Sequence, residues 1–381
     1  MTDNQKPLIS VVLPCLNEEK TILQAISWAK QGLQKLSLRY RGEIIVVDNG
    51  STDQSVALSK KTNVRVLIEK KRGYGQSYLT GLKHAHGDIF IIGDSDGTYD
   101  FRTLSPFVKK IENGADIVLG SRIKGTIKIG AMPFSHRFIG TPLLTAMLNI
   151  SYGTHISDAH TGMRALRRSA YKKMNLRSPG MEFASEMIVK AIYHNLAIEE
   201  VPINYYPRIG TSKLSPLKDA WRHIKFMILF APTYAFVVPG FMLFILGIFT
   251  SLFLLSHGQY LFGWFFDIHT MSIGMLATNL GLELLLLGLF AKAYTQKSLH
   301  LPSGPLATIL LKSLTVERLL LFGVILFLIA ISIMATITIH WITSGFGNLS
   351  AIRTVLFATG IGAIGAQCIF ASFLYGLIKE S

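Results

Sequence analysis

The stretch Ile91-Ile-Gly-Asp-Ser-Asp-Gly-Thr-Tyr-Asp100 places three carboxylates directly after an apolar run. Like charges this close repel one another, and burying them costs several kcal/mol unless a cation lies between them. The cluster is therefore either a solvated turn or a site for a divalent metal ion. A single Asp after a strand most often caps a turn, so the neighbouring elements must decide between these two interpretations.

Short apolar runs recur on both sides of this stretch, separated by polar turns and helical patterns. They are residues 8–13, 43–47, 64–68, 88–92 and 116–120. Such runs predict buried strands, and strands that alternate with helices predict a mostly parallel sheet covered on both faces. In these sheets ligands bind at the carboxyl ends of the strands. Asp48, Asp94 and Asp96 fall at this edge, with Arg72 and Arg122 near it. Their shared position favours a functional site over isolated turns.

The second part of the chain is far more apolar than the first. Half of the 381 residues are hydrophobic, and the mean hydropathy of +0.39 is too high for an ordinary soluble protein. Four apolar segments each exceed the ~20 residues that cross a bilayer. They are residues 228–255, 268–291, 319–343 and 354–377. We therefore predict an α/β domain over residues 1–214, an interfacial amphipathic helix over 215–227 and a four-helix transmembrane domain over 228–381.

The net charge of +15 gathers largely before the first apolar segment. A basic face beside a membrane is attracted to anionic lipid by ~1 kcal/mol per residue, and it can also hold a substrate phosphate. We therefore expect a membrane partner and no nucleic acid. The cations are Arg164, Arg167, Arg168, Lys172, Lys173, Arg177, Lys213, Lys218, Arg222 and Lys225. Two distant cysteines, Cys15 and Cys368, exclude a disulfide or zinc framework.

Loop charges predict the orientation of the chain in the membrane. The link between the second and third segments carries Lys292, Lys297, Lys312 and Arg318, whereas the link between the first and second has no Lys or Arg. By the positive-inside rule the basic link and the α/β domain lie in the cytoplasm, which means the inner membrane if the protein is bacterial. The polar first residues, 1–7, predict no signal peptide.

Five motifs, in order along the chain, carry a resemblance to a known family. They are Pro14-Cys-Leu-Asn-Glu18, Asp48-Asn-Gly-Ser-Thr-Asp53, Asp94-Ser-Asp96, Asp158-Ala-His-Thr-Gly-Met-Arg-Ala-Leu-Arg167 and Val201-Pro-Ile-Asn-Tyr-Tyr-Pro-Arg-Ile-Gly-Thr-Ser-Lys-Leu214. The first three resemble the signatures of family-2 glycosyltransferases of the GT-A type. The last two narrow the resemblance to dolichyl- and polyprenyl-phosphate sugar synthases. Asn49 departs from it, because many relatives have a second acidic residue there, and Ser95 stands where many have Ala.

The resemblance implies a GT-A, Rossmann-like nucleotide-binding fold and a nucleotide-diphosphate sugar as donor, either UDP-glucose or GDP-mannose. Mg²⁺ or Mn²⁺ would neutralise the departing diphosphate, with Asp96 in direct contact and Asp94 binding through water or holding the ribose. Glu18 is either a nucleotide ligand or a charge in the first turn of a helix. The implied nucleotide-binding set is Pro14, Asn17, Glu18, Asp48, Asp94, Ser95, Arg208 and Lys213.

The implied acceptor is a polyprenyl monophosphate, undecaprenyl or dolichyl. Because a phosphate monoester is nearly a dianion at neutral pH, it needs no catalytic base, and catalysis reduces to positioning and charge stabilisation. Arg122 and Arg137 would hold the acceptor phosphate, which completes a catalytic set with Asp94 and Asp96. The alternative for each arginine is a solvated surface charge.

The roles of several acidic residues and glycines can each be interpreted in two ways. Glu182 and Glu186 lie one helical turn apart, on a solvated face or beside the sugar. Glu283 stands inside an apolar segment, either as a functional group or as a protonated group bonded to another helix. Small residues in the last segment favour close helix packing and leave a homo-oligomer open. They are Gly360, Gly362 and Gly365.

Two other functions compete with a polyprenyl-phosphate sugar synthase. A processive polysaccharide synthase would carry a Gln-x-x-Arg-Trp motif before its spans, and the chain has none, since Trp221-Arg222 has the reverse order. A lipid-sugar transporter or scaffold would use the four spans and leave the α/β domain vestigial. The retention of Asp48, Asp94 and Asp96 argues against a vestigial domain.

Overall fold

The computed structural model describes residues 6–210, 221, 232–299 and 314–380. The chain divides into two compact units, Met1–Met227 and Ile228–Ser381, which we describe separately. Of the interfacial helix predicted over residues 215–227, Trp221 is described and is exposed; the rest lies outside the described residues, as does Lys213.

Strands and helices alternate through the first unit. The strands are β1 (Leu8–Cys15), β2 (Arg41–Asp48), β3 (Arg65–Ile68), β4 (Ile89–Ile92), β5 (Ile117–Ile127), β6 (Arg164–Arg167) and β7 (Ile198–Tyr205). The helices are α1 (Ile22–Gln34), α2 (Ser55–Lys60), α3 (Tyr74–His84), α4 (Ser105–Glu112), α5 (Thr141–Tyr152), α6 (Arg168–Met174) and α7 (Phe183–Tyr193). A short π-helical turn, His136–Gly140, precedes α5.

The seven strands of the described first unit form one sheet in the order β3-β2-β1-β4-β6-β5-β7. Its pairs are parallel except those of β6, which runs antiparallel between β4 and β5. The predicted mostly parallel α/β sheet is confirmed. The sequence missed β6 and β7, because β6 is short and bounded by arginines, and β7 alternates apolar residues with Glu199, Glu200 and Asn204.

Both faces of the sheet are covered, as the apolar runs predict. Along β1, Val11 and Leu13 pack toward α1 and α4, whereas Val12 packs toward α3 and α7. This alternation follows from the two-residue period of a strand, and each fully buried side chain of this kind contributes about 1.5–3 kcal/mol. The helix α3 lies very close to the sheet at Gly81, where an added Cβ would lie 2.3 Å from Cγ1 of Val12.

Four of the described helices in the second unit are long and apolar enough to cross a membrane. They are α8 (Val238–Phe253), α9 (Ile268–Leu299), α10 (Val316–Thr343) and α11 (Ile352–Glu380), and a small hairpin of β8 (Gln259–Leu261) and β9 (Trp264–Phe266) joins α8 to α9. The candidate spans are Ala235–Phe253, Ile268–Lys297, Val316–Thr343 and Ile352–Lys379. The predicted four-helix membrane domain is thereby confirmed as part of the fold class.

Glycines allow these helices to approach closely. Gly240 of α8 lies against Gly281 of α9, and Gly323 of α10 lies against Gly365 of α11. Gly360 faces Met275, so the glycines of α11 serve contacts within the chain.

Candidate active site at the carboxyl edge of the sheet

The ends of β1, β2 and β4 meet at one edge of the sheet. Cys15 is paired with Asp48 across β1 and β2, and Val12 is paired with Ile92 across β1 and β4. The Ser95 hydroxyl then donates to the Pro14 carbonyl over 2.5 Å. These contacts bring the turns after all three strands together, as the parallel sheet requires.

Asp94 lies in a pocket of aromatic and glycine residues. The Tyr78 hydroxyl donates to its Oδ1 over 2.9 Å, and a Cβ on Gly162 would lie 2.6 Å from its Oδ2. Burial and the neighbouring charge of Asp96 raise the pKa of Asp94 from 3.8 to about 6. A carboxyl in this state gains from a nearby cation, which would favour its ionised form.

Asp96 is held by its own turn and by a cation from the segment that follows β7. Its Oδ1 accepts from the Thr98 backbone N–H over 3.1 Å and from the Thr98 hydroxyl over 2.5 Å. Its Oδ2 lies 3.1 Å from Nη1 of Arg208, whose Nη2 lies 2.5 Å from Oε1 of Glu18. Arg208 thus connects two acidic residues of the edge, at the end of the segment that follows β7.

Main-chain contacts hold the Arg208 segment against this turn. The Tyr206 N–H donates to the Thr98 carbonyl over 3.0 Å, and the Ile209 N–H donates to the Asp96 carbonyl over 3.4 Å. These contacts hold Arg208 beside Asp96, and its predicted contact with the donor stays a prediction.

The third carboxylate of the opening stretch has a different environment. Asp100 pairs with Arg102, whose Nη2 lies 2.7 Å from its Oδ2 and whose guanidinium lies 4.7 Å from the centre of the Trp28 ring. Asp100 therefore stabilises the turn before α4, and the metal-binding question concerns Asp94 and Asp96.

The two remaining carboxylates fit a particular kind of metal site. Among the described residues no group of three or more His, Cys, Asp or Glu side chains could hold a metal ion. Mg²⁺ and similar ions are commonly bound by one or two carboxylates together with substrate phosphates. Asp94 and Asp96 supply such hard oxygen ligands, and the contact of Arg208 with Asp96 shows that this position already attracts a cation.

The predicted nucleotide-binding residues line the same rim and also build its loops. Asp48 accepts from the Gly50 and Ser51 N–H groups over 3.1–3.3 Å, which forms a tight turn. Asn17 has a positive φ of 53°, and its Oδ1 accepts from the Thr52 N–H over 2.7 Å. The buried Glu18 faces Arg208, in addition to lying before α1. Their predicted contact with the nucleotide stays a prediction.

The hydrogen bonds of the Asn49 side chain explain why this position departs from the family pattern. Its Nδ2 donates to the carbonyls of Glu69 and Lys71, over 3.1 and 2.7 Å, while its Oδ1 accepts from the Gly73 N–H over 2.8 Å. A carboxylate could not make the two donations. The exposed Arg72 guanidinium lies beside Gly50, so this loop also brings a cation to the rim.

Arg122 is buried in an ion pair that the sequence did not reveal. Its Nε and Nη2 donate to the two carboxylate oxygens of Asp158 over 2.7 and 2.8 Å, and its N–H donates to Oδ2 over 3.0 Å. Its guanidinium also lies 5.2 Å from the centre of the Tyr205 ring. If Arg122 binds an acceptor phosphate as predicted, its guanidinium must therefore contact that phosphate and Asp158 at the same time.

Arg137 lies in an exposed, apolar segment. Its guanidinium is 5.2 Å from the centre of the Phe138 ring, on the π-helical turn. The large apolar side chains of this segment are exposed to an extent that is unusual outside a membrane unit. They are Ile129, Phe134, Phe138, Ile139, Leu143 and Ile150. The structure shows no contact of Arg137 with the carboxylates of the edge.

Three predicted surface charges are in fact structural. Arg164 is 1% exposed and donates to the carbonyls of Thr161, Ala184 and Ala159, so it does not belong to a basic membrane face. Arg167 donates to the carbonyls of Ala115 and Ile111 at the end of α4. Glu186 is buried, pairs with Lys190 and accepts from two backbone N–H groups, so the interpretation as a solvated face was wrong, and its position beside the sugar stays a prediction. A charged residue can be buried when its partners satisfy it, and those partners are distant in sequence.

Sequence patterns did not reveal Tyr78, Thr98 and Asp158 as parts of this site. Asp158 was visible inside the fourth motif, and Thr98 inside the opening stretch, but neither had an assigned role. Nothing in the sequence indicated a role for Tyr78 except its position on α3, the helix that begins after Gly73.

Comparisons with known proteins agree with this arrangement. Residues 10–174 match the model of glycosyl transferase family 2, and residues 289–379 match that of the glycosyltransferase family 2 C-terminal transmembrane region. The low-salt glycan biosynthesis hexosyltransferase Agl6 of Haloferax volcanii is 39% identical over 98% of this chain and 90% of its own length. The chain belongs to glycosyltransferase family 2.

More distant relatives of this family-2 glycosyltransferase match a smaller share of it. The dolichol-phosphate mannosyltransferase of Pyrococcus furiosus is 29% identical over 57% of this chain and 62% of its own length. The glycosyltransferase AglJ of Haloferax volcanii is 28% identical over 55% of the chain and 68% of its own length. Among solved structures, glucosyl-3-phosphoglycerate synthase from Mycobacterium tuberculosis is 23% identical, covers 60% of this chain and 81% of its own, and has a TM-score of 0.47.

The family assignment confirms that the protein is an enzyme, a membrane-associated glycosyltransferase. The prediction of a family-2 glycosyltransferase with a membrane domain is confirmed, and the chain is an integral membrane protein. The alternative of a vestigial α/β domain is thereby set aside.

Proposed function

We propose that this glycosyltransferase moves a hexose from a nucleotide-diphosphate sugar to a polyprenyl phosphate on the cytoplasmic face of its membrane. UDP-glucose and GDP-mannose are the proposed donors, and undecaprenyl or dolichyl phosphate is the proposed acceptor. A dolichol-phosphate mannosyltransferase among the relatives supports a lipid phosphate as acceptor.

The proposal rests on one observation. Arg208 contacts the carboxylates of Glu18 and Asp96 at the edge of the sheet where the turns after β1 and β4 meet. Asp94 and Asp96 would hold Mg²⁺ or Mn²⁺, and the bound ion would neutralise the charge that develops on the departing diphosphate. Tyr78 and Thr98 orient the two carboxylates by their hydrogen bonds. Arg208 can donate to phosphate oxygens when a donor binds, since its partly exposed guanidinium lies at the same position.

The acceptor needs a phosphate oxygen placed opposite the leaving group. A lone pair of that oxygen forms the bond to the anomeric carbon while the bond from that carbon to the diphosphate breaks, which inverts the configuration. No proton has to be removed from a phosphate monoester near neutral pH, so the chain needs no general base. The exposed apolar residues beside Arg137 support its proposed contact with a lipid phosphate at a membrane surface.

The direct test measures transfer of labelled glucose or mannose to undecaprenyl and dolichyl phosphate by the full-length protein in detergent. We expect transfer to require Mg²⁺ or Mn²⁺, to stop with EDTA and to resume when metal is restored. Asp96→Ala should lower the rate by about 10²–10³-fold, because a group that stabilises transition-state charge is lost.

Glu112→Ala is the matched control, since it removes a carboxylate at the end of α4 that bonds to Tyr40 and Arg39. It should retain the wild-type rate. Equal rates for Asp96→Ala and the wild type would refute the metal assignment, and the absence of labelled lipid with both donors would refute the proposed substrates. Thermal shifts with UDP, GDP and metal would identify the base of the donor.

A further inference from the structure

The second membrane helix, α9, is packed against its neighbours on two sides. Toward α8, Gly281 lies against Gly240, and Thr278 lies against Gly247. Toward α11, Phe290 stacks on Tyr375 with ring centres 5.7 Å apart. These contacts leave one exposed side.

That side is a narrow stripe with a regular spacing. From His269 to Tyr294 the exposed residues follow one another at intervals of four, three, four, three, four and seven. This is the heptad spacing of helices that pair in a left-handed crossing. The α9 stripe consists of His269, Ile273, Leu276, Leu280, Glu283, Leu287 and Tyr294.

The centre of the α9 stripe is polar. Glu283 is exposed on the helix surface, and its Oε2 accepts from Nε2 of Gln367 on α11 over 3.3 Å. Among the described residues this is the one hydrogen bond that the Glu283 carboxylate accepts. Hydrocarbon offers no donor to such groups, so a carboxyl exposed inside a span is unfavourable in contact with lipid. The exposed Glu283 carboxyl therefore has an incomplete set of hydrogen-bond partners within the described part of one copy.

We propose that the α9 stripe binds the α9 stripe of a second copy, with the two Glu283 side chains facing each other. A two-fold interface brings each residue near its counterpart, and a protonated carboxyl both donates and accepts, so the group is complementary to itself. The leucines at the other stripe positions would pack as knobs into holes. A single polar residue at such a position also fixes the register of a helix pair.

A second copy fits this surface better than lipid or an unrelated helix. Lipid tails lack donors, and an unrelated helix would need a matching polar residue at the same depth. The glycines of α11 make contacts within the chain, which leaves α9 as the helix of the described membrane unit that combines exposed leucines with an exposed carboxyl near the middle of its span.

Cysteine cross-linking of the full-length protein in native membranes tests the proposal. Leu280→Cys and Leu287→Cys lie on the stripe, and Leu328→Cys on α10 and Phe370→Cys on α11 are exposed controls away from it. Under mild oxidation we expect disulfide-linked dimers from the stripe variants and none from the controls or from the wild type, whose Cys15 and Cys368 are buried. Equal cross-linking at stripe and control positions, its absence at the stripe, or a product heavier than two copies would overturn the proposal.

The contribution of Glu283 is measured separately by the dissociation of the dimer in detergent. Glu283→Leu should weaken association roughly tenfold, whereas Glu283→Gln should retain it because an amide is also self-complementary. Unchanged association in Glu283→Leu would refute the role of the carboxyl. Both readouts report association and not transfer, so they succeed or fail independently of the proposed function.

Discussion

At the scale of single residues, the most consequential contact is the buried pair of Arg122 and Asp158. Both partners are almost completely inaccessible, and the guanidinium donates to both carboxylate oxygens. The pair joins β5 to the loop before β6. A buried pair of this kind adds little net stability over an apolar replacement, but the loss of one partner leaves an uncompensated charge.

We therefore expect Asp158→Ala to destabilise the protein by about 3–5 kcal/mol, since Arg122 would stay buried without its carboxylate. The double variant Arg122→Met/Asp158→Leu should lose much less. Thermal unfolding of the detergent-solubilised proteins checks this order. A double variant that melts below Asp158→Ala would contradict it.

The pair also has a defined pH dependence. Burial would raise the pKa of Asp158, but the hydrogen bonds and the charge of Arg122 outweigh it and lower the pKa below 3.8. A carboxyl with a lowered folded-state pKa contributes stability above its unfolded pKa and loses it as the pH falls through the folded value. The difference between wild type and Asp158→Ala should accordingly be full at pH 7 and shrink only below pH 3.8.

At the scale of elements, Asn49 joins the end of β2 to the loop that leads into α3. Its side chain makes two donations and one acceptance, and Gly73 at the start of α3 is one of its partners. This explains in physical terms why an amide stands at a position that is acidic in many relatives. The residue contributes to the shape of the site through the loop it holds.

Asn49→Asp should lower the stability by about 1–3 kcal/mol, because a carboxylate would face two carbonyls that have lost their donor. Asn63→Asp is a suitable control, since Asn63 is exposed and belongs to another loop. We expect the melting temperature of the first variant to fall and that of the second to stay at the wild-type value. Equal melting temperatures would show that the amide bonds are dispensable.

Elements differ in how far the sequence predicts them. The strands β1, β2 and β4 follow from their apolar runs, and their parallel order then places Asp48, Asp94 and Asp96 at one edge. The strand β6 could not be predicted in this way, because its arginines look solvated until their distant carbonyl partners are known. Arg208 reaches Asp96 through the pairing of β7 with β5, two strands that lie far apart in the sequence.

At the scale of the whole molecule, charge and hydropathy predict the orientation of the chain in a membrane. The four candidate spans and the basic link between the second and third predict a cytoplasmic catalytic unit. On this prediction the β8–β9 hairpin between α8 and α9 would lie on the opposite side of the membrane. Its exposed aromatic residues suit the boundary between lipid and water.

Labelling of introduced cysteines tests this orientation. Phe262→Cys lies in the hairpin and Leu38→Cys in the catalytic unit, and both positions are highly exposed. In intact cells a membrane-impermeant maleimide should label residue 262, and residue 38 should react only after the membrane is permeabilised. Labelling of Leu38→Cys in intact cells would place the catalytic unit on the other side.

The ion pairs of Arg208 with Asp96 and Glu18 have a consequence for the order of events at this site. If the metal binds Asp96 as proposed, it must displace a resident counter-ion. A metal ion that binds alone gains little, because Arg208 loses its ion pair with Asp96. A metal ion that binds together with a diphosphate gains more, because Arg208 can then pair with the diphosphate. Metal and nucleotide would then each strengthen the binding of the other by the same factor, as linkage requires. Without a donor the enzyme would therefore bind free divalent ions weakly, and it would bind the nucleotide sugar and the metal ion together.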